Sequence, residues 1–434
     1  MRWLQEYRQG PRKSSDSMIR KGESCKGGIM ARFIVVVLDG FGIGEMPDVL
    51  AERPQDHGAN TARKLIEHFS DKHLPTLARL GLLNTVYPVN SVMQRSQAAN
   101  WGKSMLGHEG CDTFMGHQEI MGTKPRAPLQ APFSTYIDKI EAGLIAAGYQ
   151  VNRIYRDALA LLEVNSCVVI GDNLEAELGQ VYNITANLNL ISFDDVVKIG
   201  RVVRKYNDAG RNIAFGGLID SMDDIYSAIE TKPDKNGNIA FIGVNAPRSG
   251  AYNNGFKVIH LGYGVDPSTQ VPHCLNQVGI KTFLYGKVAD IVENEHGVSY
   301  PGVVDTDTLF DLLLRDVVRK DNAFFCLNVQ ETDLSGHQQN AGRYWNTLER
   351  ADAGLSKILD AMSISDLLIV MADHGNDPFI GHSLHTREMV PILLFSHELK
   401  GLELGVRDTL SDVGASVAKF FNAPMPEFGS PIKF

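Results

Sequence analysis

Apolar residues along this chain fall into short continuous runs and into longer stretches with helical spacing. A run of six mostly apolar residues is typical of a strand that is buried on both faces of a sheet. Four such runs occupy residues 33–38, 324–329, 367–372 and 390–395. Between the second and third runs, apolar residues recur on one helical face over 348–359. Strands that alternate with helices predict an α/β fold with a central, mostly parallel sheet flanked by helices.

Three further helices are predicted outside these runs. The first covers residues 60–69, with Asn60 as its capping residue, and the second covers 74–82. The third covers 411–421, close to the end of the chain. These helices would cover the faces of the central sheet.

The pattern changes between residues 125 and 264, where turn-forming segments interrupt the apolar runs. The elements predicted here are strands at 167–170, 212–215 and 239–244 and an amphipathic helix at 193–203. We interpret 125–264 as an inserted α+β domain. The core of the protein is then discontinuous and consists of residues 30–124 and 265–434.

Residues 1–29 have no hydrophobic period and contain seven basic residues against three acidic ones. We therefore expect a disordered N-terminal extension. Met30 directly precedes the first apolar run, so either Met1 or Met30 fits as the natural start of the protein.

Composition narrows the range of partners and compartments. The 434 residues carry a formal net charge of −9 without acidic or basic runs, which argues against a nucleic-acid-binding surface. The five cysteines have no paired spacing, and Cys167 and Cys326 lie in apolar runs typical of buried free thiols. No apolar stretch has the length of a membrane span. We expect a cytoplasmic protein that acts on a small molecule, without nucleic-acid or membrane partners.

Side chains that commonly bind metal ions follow directly after three of the predicted strands. They are Asp39, Asp333, His337, Asp373 and His374. Because the carboxyl ends of parallel strands share one edge of a sheet, these side chains are expected to converge. We expect the Asp333 and His337 pair to lie outside a regular helix.

A sixth ligand is expected from His385, with His382 as an alternative at this point. Carboxylates combined with imidazoles suit a divalent cation that accepts oxygen and nitrogen donors, such as Mn²⁺ or Zn²⁺. Six ligands provide three for each of two ions. This is the composition of a two-metal site for phosphoryl transfer.

Thr113 is a candidate nucleophile because it lies in a glycine-containing segment, 112–122, that precedes or begins a helix. A helix N-terminus favours a phosphate anion, and a nearby metal site lowers the pKa of a hydroxyl group. The alternative is that Thr113 caps this helix. His117 and Glu119, in the same segment, fit a structural role as well as a catalytic one.

Four motifs resemble those of the phosphopentomutase family, within the alkaline phosphatase superfamily. The motifs are Gly42-Ile43-Gly44-Glu45-Met46-Pro47-Asp48 after Asp39, Asp112-Thr113 with Gly116-His117, Gly286-Lys287-Val288-Ala289-Asp290-Ile291, and Asp373-His374-Gly375-Asn376-Asp377-Pro378 leading to His385-Thr386-Arg387-Glu388. The resemblance covers the core from about Met30 to Gly122 and from about Val265 onwards. It implies an alkaline-phosphatase-like core with the inserted domain as a cap over the active site.

The resemblance also implies roles for individual residues. One Mn²⁺ would be bound by Asp39, Asp373 and His374 and a second by Asp333, His337 and His385, with Zn²⁺ or Mg²⁺ as alternative ions. Thr113 would carry the phosphoryl group during conversion of a ribose or deoxyribose 1-phosphate to the 5-phosphate, with a sugar bisphosphate as a candidate activator. Lys287 matches a family position beside the site, although a salt bridge to Asp290 is an alternative.

Two departures separate the chain from this family. The segment from Asp333 to His337 is one residue shorter than is usual there and has the length found in cofactor-independent phosphoglycerate mutases. The basic residues that bind substrate phosphate in the family's cap are not recognisable, and Arg248 is the candidate in their place. Two other classes of function stay open. One is a phosphatase or phosphodiesterase with water as the acceptor, and the other is a catalytically silent metal-binding protein.

Overall fold

The computed structural model of the protein describes residues 31–175, 178–234, 236–319 and 321–434. The predicted disordered extension, residues 1–29, and the alternative start at Met30 lie outside the described residues.

The described residues form two larger sheets and one hairpin. The strands are β1 Arg32–Leu38, β2 Asn100–Ser104, β3 Val151–Arg156, β4 Leu159–Val164, β5 Val168–Asp172, β6 Val181–Asn187, β7 Arg211–Gly217, β8 Ile229–Pro233, β9 Ile239–Val244, β10 Lys257–Gly262, β11 Lys281–Tyr285, β12 Val298–Tyr300, β13 Ala323–Val329, β14 Leu367–Met371, β15 Val390–Phe395 and β16 Glu403–Arg407.

Helices connect most of these strands, and three short 3₁₀ turns lie at Pro54–Asp56, Phe133–Thr135 and Pro267–Thr269. The α-helices are α1 Val49–Glu52, α2 Thr61–His68, α3 Pro75–Leu80, α4 Leu82–Val86, α5 Thr113–Ile120, α6 Ile137–Ala146, α7 Phe193–Arg204, α8 Met222–Ser227, α9 Val271–Asn276, α10 Lys287–Ile291, α11 Thr306–Val317, α12 Gln330–His337, α13 Ala341–Ala361 and α14 Ser411–Phe420.

The larger sheet has eight strands in the order β12-β11-β13-β1-β14-β15-β2-β16. Seven of them run in one direction, and β15 alone is antiparallel to its two neighbours. Every residue of β1, β13 and β14 is buried, so both faces of the sheet are covered. The predicted mostly parallel α/β sheet flanked by helices is confirmed.

The second sheet has six strands in the order β10-β7-β6-β5-β4-β3 and is formed entirely from residues 151–262. On one of its faces, α6 and α7 pack through a cluster that includes Ile140, Leu144 and Ile199. On the other face, the β8–β9 hairpin packs through a cluster that includes Ile242. This part of the chain therefore has its own hydrophobic clusters.

Most of the elements predicted from the sequence are present within one or two residues of the expected bounds. Asn60 caps α2, since its side chain accepts a hydrogen bond from the backbone N–H of Arg63. The helix predicted for 74–82 is present as α3, which ends at Leu80. Gly81 has a left-handed backbone, with φ of 103°, and separates α3 from α4.

The four described cysteines, Cys111, Cys167, Cys274 and Cys326, are free and buried, which confirms the expected thiols at Cys167 and Cys326. Within the described ranges, no helix is long and apolar enough to span a bilayer.

Candidate active site

The register of the central sheet places three strand ends side by side. Leu38, at the end of β1, pairs with Val329, at the end of β13, and β1 also pairs in parallel with β14. The next residue, Asp39, donates its backbone N–H to the carbonyl of Val329. The segments after these three strands therefore begin at one edge of the sheet, as the sequence predicts.

The first group of candidate ligands consists of Asp39, Asp373 and His374, and all three residues are completely buried. His374 Nε2 lies 3.4 Å from Asp39 Oδ1 and 3.3 Å from Asp373 Oδ2. The three candidate ligand atoms lie within 4.8 Å of one another, which is close enough to bind one cation. We call this group the first triad.

The second triad consists of Asp333, His337 and His385. Asp333 Oδ2 lies 3.4 Å from His337 Nε2, and Asp333 Oδ1 lies 3.2 Å from His385 Nε2. The expectation that Asp333 and His337 lie outside a regular helix is wrong. Both lie on α12, where residues four apart in sequence share one face.

The structure brings His385 into the second triad and places His382 elsewhere. His382 Nε2 lies 3.2 Å from Asp56 Oδ1, and His382 is absent from both triads. The imidazole rings of His374 and His385 stack with their centroids 3.9 Å apart. The two triads are therefore adjacent.

The donor atoms of both triads fit divalent cations. Nδ1 of each histidine lies within hydrogen-bonding distance of a backbone carbonyl: that of Gly375 for His374, Ser383 for His337 and Cys111 for His385. This arrangement orients each ring and leaves Nε2 available for a metal ion. Asp39 Oδ1 and His374 Nε2 are buried and have no hydrogen-bond partner among the described residues. Such atoms are expected where a cation is bound.

The electrostatic environment keeps Asp333 and Asp373 charged. Burial would raise the pKa of Asp333, but hydrogen bonds from His337 and His385 hold it well below its usual range. Burial would also raise the pKa of Asp373, but the nearby His374 and His117 hold this pKa low. The concentration of negative charge favours divalent cations over neutral ligands.

Lys287 lies between the two triads. Its Nζ is 2.9 Å from Asp39 Oδ2 and 3.3 Å from Asp333 Oδ2. Burial would lower the pKa of Lys287, but the nearby carboxylates raise it above its ordinary value. The alternative salt bridge to Asp290 is wrong, because the Asp290 carboxylate accepts a hydrogen bond from the backbone N–H of Gly302 instead.

Thr113 is the first residue of α5, and its hydroxyl donates a hydrogen bond to Asp373 Oδ2 over 2.7 Å. Asp112, and not Thr113, caps this helix, since the Asp112 side chain accepts a hydrogen bond from the backbone N–H of Phe114. Gly116, one turn further along α5, allows this close approach: a Cβ atom at Gly116 would lie 2.8 Å from the carbonyl oxygen of Asp373.

Two other polar residues of α5 differ in their contacts with the triads. His117 is completely buried, and its Nδ1 lies 3.0 Å from the carbonyl oxygen of Thr113 and 3.2 Å from Asp373 Oδ2. Glu119 points away from the triads and accepts hydrogen bonds from Gly107 and His108. Of the two, only His117 therefore contacts a candidate ligand.

A cavity of about 780 Å³ opens beside Asp112, the residue before Thr113, between the central sheet and the second sheet. Its lining includes Asp112 and His385 from the core and Arg211 from the start of β7. Arg211 Nη2 lies 3.4 Å from Asp112 Oδ2, and its guanidinium group lies 5.3 Å from the centre of the Phe114 ring. The second sheet thus contributes Arg211, together with Val181 of β6, to the lining of this cavity.

Arg248, the basic residue selected from the sequence, lies elsewhere in the inserted segment. Its guanidinium group forms an ion pair with Glu230, and its side chain is 60% exposed. Arg211, Arg126 and His108, which line the cavity, were missed by the sequence analysis. The available signal for Arg211 was a single basic residue at the start of a predicted strand.

Comparison with known proteins decides the family. A model of the family described as "Metalloenzyme superfamily" matches residues 31–425 of the chain. The chain belongs to the metalloenzyme superfamily. The expectation of a metal-dependent enzyme is therefore confirmed.

This metalloenzyme is 28% identical over 413 residues to phosphopentomutase from Symbiobacterium thermophilum, a match that covers 92% of the chain and 96% of the relative. Among solved structures, it is similar to the PH0037 protein from Pyrococcus horikoshii, with 13% identity, a TM-score of 0.41 and coverage of 90% and 96% of the two chains. It is also similar to phosphoglycerate mutase from Leishmania mexicana, with 13% identity, a TM-score of 0.40 and coverage of 92% and 97%.

Proposed function

We propose that this metalloenzyme is a phosphomutase that moves a phosphoryl group within a sugar phosphate by way of a phosphothreonine at Thr113. The observation that carries the proposal is the 2.7 Å hydrogen bond from the Thr113 hydroxyl to Asp373. The Thr113 hydroxyl lies at the N-terminus of helix α5 and contacts a candidate ligand of the first triad. A helix N-terminus favours the negative charge of a phosphoryl group.

The two triads provide the sites for two divalent ions. Asp39, Asp373 and His374 would hold one ion, and Asp333, His337 and His385 would hold the other. We propose Mn²⁺ for both, since each triad combines carboxylate and imidazole donors. When bound, such ions lower the pKa of a nucleophilic hydroxyl group and neutralise charge on the transferring phosphoryl group.

The chain's own residues would guide the phosphoryl group in both directions. A phosphoryl group on Thr113 would pass to a free hydroxyl of a bound sugar monophosphate. The resulting bisphosphate would turn and return its other phosphoryl group to Thr113. Lys287, held between Asp39 and Asp333, supplies a fixed positive charge beside this path.

We propose that residues 125–264 act as a cap that binds the sugar phosphate and excludes water. A phosphothreonine that was open to solvent would be hydrolysed, and the enzyme would then act as a phosphatase. Arg211 supports this role because it reaches from β7 into the cavity beside Asp112. The guanidinium geometry of arginine suits the recognition of a phosphate group.

For the substrate we propose a pentose phosphate, with conversion of ribose or deoxyribose 1-phosphate to the 5-phosphate. The support is the 28% identity to a phosphopentomutase over nearly the whole length of both chains. A sugar bisphosphate would serve as the activator that first phosphorylates Thr113. The free, buried cysteines support a reducing compartment such as the cytoplasm.

The test is to incubate the metal-loaded enzyme with a panel of pentose and hexose 1-phosphates and a trace of the matching bisphosphate. Samples are quenched with chelator and analysed by phosphorus NMR. The proposal predicts that a pentose 1-phosphate signal is replaced by that of the 5-phosphate without inorganic phosphate. Accumulation of inorganic phosphate would instead identify a phosphatase. Conversion of a hexose phosphate alone would contradict the pentose assignment.

A further inference from the structure

A histidine–glutamate pair lies beside the cavity but outside both triads. His108, in the loop between β2 and α5, lies with Nδ1 2.7 Å from Glu119 Oε2. The two side chains are only 2% and 1% exposed. Neither residue belongs to the first or the second triad.

Glu119 is held as a fixed carboxylate. It also accepts hydrogen bonds from the backbone N–H groups of Gly107, His108 and Leu410. Burial would raise the pKa of Glu119, but its hydrogen bonds from His108 and other donors outweigh burial and keep the pKa below its ordinary value. Nδ1 of His108 therefore carries a proton, which it donates to Glu119.

The other nitrogen of this ring is unused. His108 Nε2 is buried and has no hydrogen-bond partner in the part of the chain that the structure describes. His108 nevertheless lines the cavity, together with Asp112 and Arg211. Buried polar atoms are rarely left unpaired, and those that are often belong to binding sites. The backbone carbonyl of His108 accepts a hydrogen bond from Arg387 over 2.8 Å, so its loop is also held in place.

We propose that His108 binds a phosphate group of the substrate, with Nε2–H donating a hydrogen bond to a phosphate oxygen. The proposal rests on the proposed function, since it assigns a further binding residue to the same cavity. The ring would then lie between the Glu119 carboxylate and the bound phosphate. Charge-assisted hydrogen bonds of this kind are stronger than neutral ones.

The cavity beside His108 contains charged residues of both signs. Arg53, Arg126 and Arg211 line it, as do Glu52, Glu109 and Asp112. Asp112 is paired with Arg211. His108 would contact the phosphate from the core side of the cavity. Arg211 would contact it from the side of the second sheet.

Two substitutions separate the two nitrogens of the ring. His108→Asn places an amide close to the position of Nδ1, so it keeps a donor to Glu119 and removes Nε2. His108→Gln places an amide close to Nε2 and removes the donor to Glu119. His273→Asn, on helix α9, is the control, because His273 is a half-buried histidine that does not line this cavity.

Steady-state kinetics with the pentose phosphate and the binding of inorganic phosphate, followed by calorimetry on the metal-loaded enzyme, are the two measurements. We expect His108→Asn to raise KM and the Kd of phosphate about 10- to 100-fold, as for the loss of a charge-assisted hydrogen bond. His108→Gln should bind phosphate more tightly than His108→Asn, and His273→Asn should match the wild type.

Unchanged phosphate binding by a folded His108→Asn protein would overturn the proposal, as would weaker binding by His108→Gln than by His108→Asn. If His108→Gln does not fold, His108→Asn alone decides. Phosphate binding needs no turnover, so this test stands even if the enzyme converts no pentose phosphate. A wild-type enzyme that binds phosphate through His108 but isomerises no sugar phosphate would refute the proposed function alone.

Discussion

The ammonium group of Lys287 is bound to the carboxylate of Asp39, with 2.9 Å between Nζ and Oδ2. Asp39 directly follows the central strand β1, and Lys287 begins helix α10, which follows β11 of the same sheet. Because Lys287 also contacts Asp333, a single cation joins a member of the first triad to a member of the second. Its position suggests that it stabilises negative charge where the two triads meet.

Substitution of Lys287 by methionine tests this suggestion. The fixed positive charge would be lost while the six candidate ligands remained, so metal content should stay near two ions per chain. We expect kcat/KM to fall by about 10²- to 10³-fold, in the range seen for the loss of a preorganised electrostatic contact. Lys287→Arg, which keeps the charge, should retain more activity. Wild-type kinetics in Lys287→Met would show that the contact is purely structural.

The two nearby histidines, His382 and His385, offer a matched test of the second triad. His385→Asn removes a candidate ligand, so bound metal should fall from about two ions per chain to about one, and turnover should be lost. His382→Asn removes a side chain that contacts Asp56 and should keep both ions. Elemental analysis after dialysis measures this difference. Loss of metal from the His382 variant, with full occupancy in the His385 variant, would reverse the assignment.

Arg211 and Arg248 provide a comparable pair within the inserted segment. Arg211 lines the cavity, whereas Arg248 pairs with Glu230 at an exposed position. We expect Arg211→Ala to raise KM for the sugar phosphate at least about 10-fold, because it removes a charged contact to phosphate. Arg248→Ala should leave KM within about twofold of the wild type, as is typical for an exposed ion pair. Equal effects on KM would exclude a special role for Arg211.

The titration of His260 should make the free energy of unfolding depend on pH. Burial, followed by the nearby Arg211, lowers the pKa of His260 to about 4, from 6.5 for an ordinary histidine. The unfolded chain therefore binds more protons than the folded protein between these pH values, and folded stability falls as pH decreases from 6.5 towards 4. At a pH of about 5 the loss would amount to roughly 2 kcal/mol.

The variant His260→Asn removes this titrating group and keeps an acceptor near Arg211. Urea unfolding of the wild type and of His260→Asn, at neutral pH and at a pH of about 5, measures the difference. The free energy of unfolding should decrease less in the variant than in the wild type. Equal decreases in the two proteins would show that His260 is not buried as a neutral ring.

The convergence of Asp39, Asp333 and Asp373 could be predicted because it follows from strand direction. Each residue comes after an apolar run, and parallel strands end at the same edge. The helix that carries Asp333 and His337 could not be predicted, because residues 330–337 contain one aliphatic side chain among polar residues and glycine. Helix α12 is stabilised by packing on its neighbours, including α13 and β1.

Residues that meet only through the three-dimensional fold were also missed. Arg211 reaches Asp112 across 99 positions in the sequence, and nothing near Arg211 marks it as part of a site. His108 gains its significance from Glu119, whose carboxylate accepts hydrogen bonds from Thr409 and Leu410 near the far end of the chain. Sequence patterns report local periodicity and strand ends, whereas these contacts depend on how the second sheet and the C-terminal segment pack.

The proposal that Thr113 carries the phosphoryl group is tested most directly by locating phosphate on the enzyme. The metal-loaded protein is treated with a pentose bisphosphate, quenched in acid, digested and sequenced by mass spectrometry. Thr113→Ala is the control, and its turnover should fall on the order of 10⁴-fold or more with metal content unchanged. The account predicts phosphate on Thr113 in the wild type. Phosphate on another residue, or full turnover by Thr113→Ala, would contradict it.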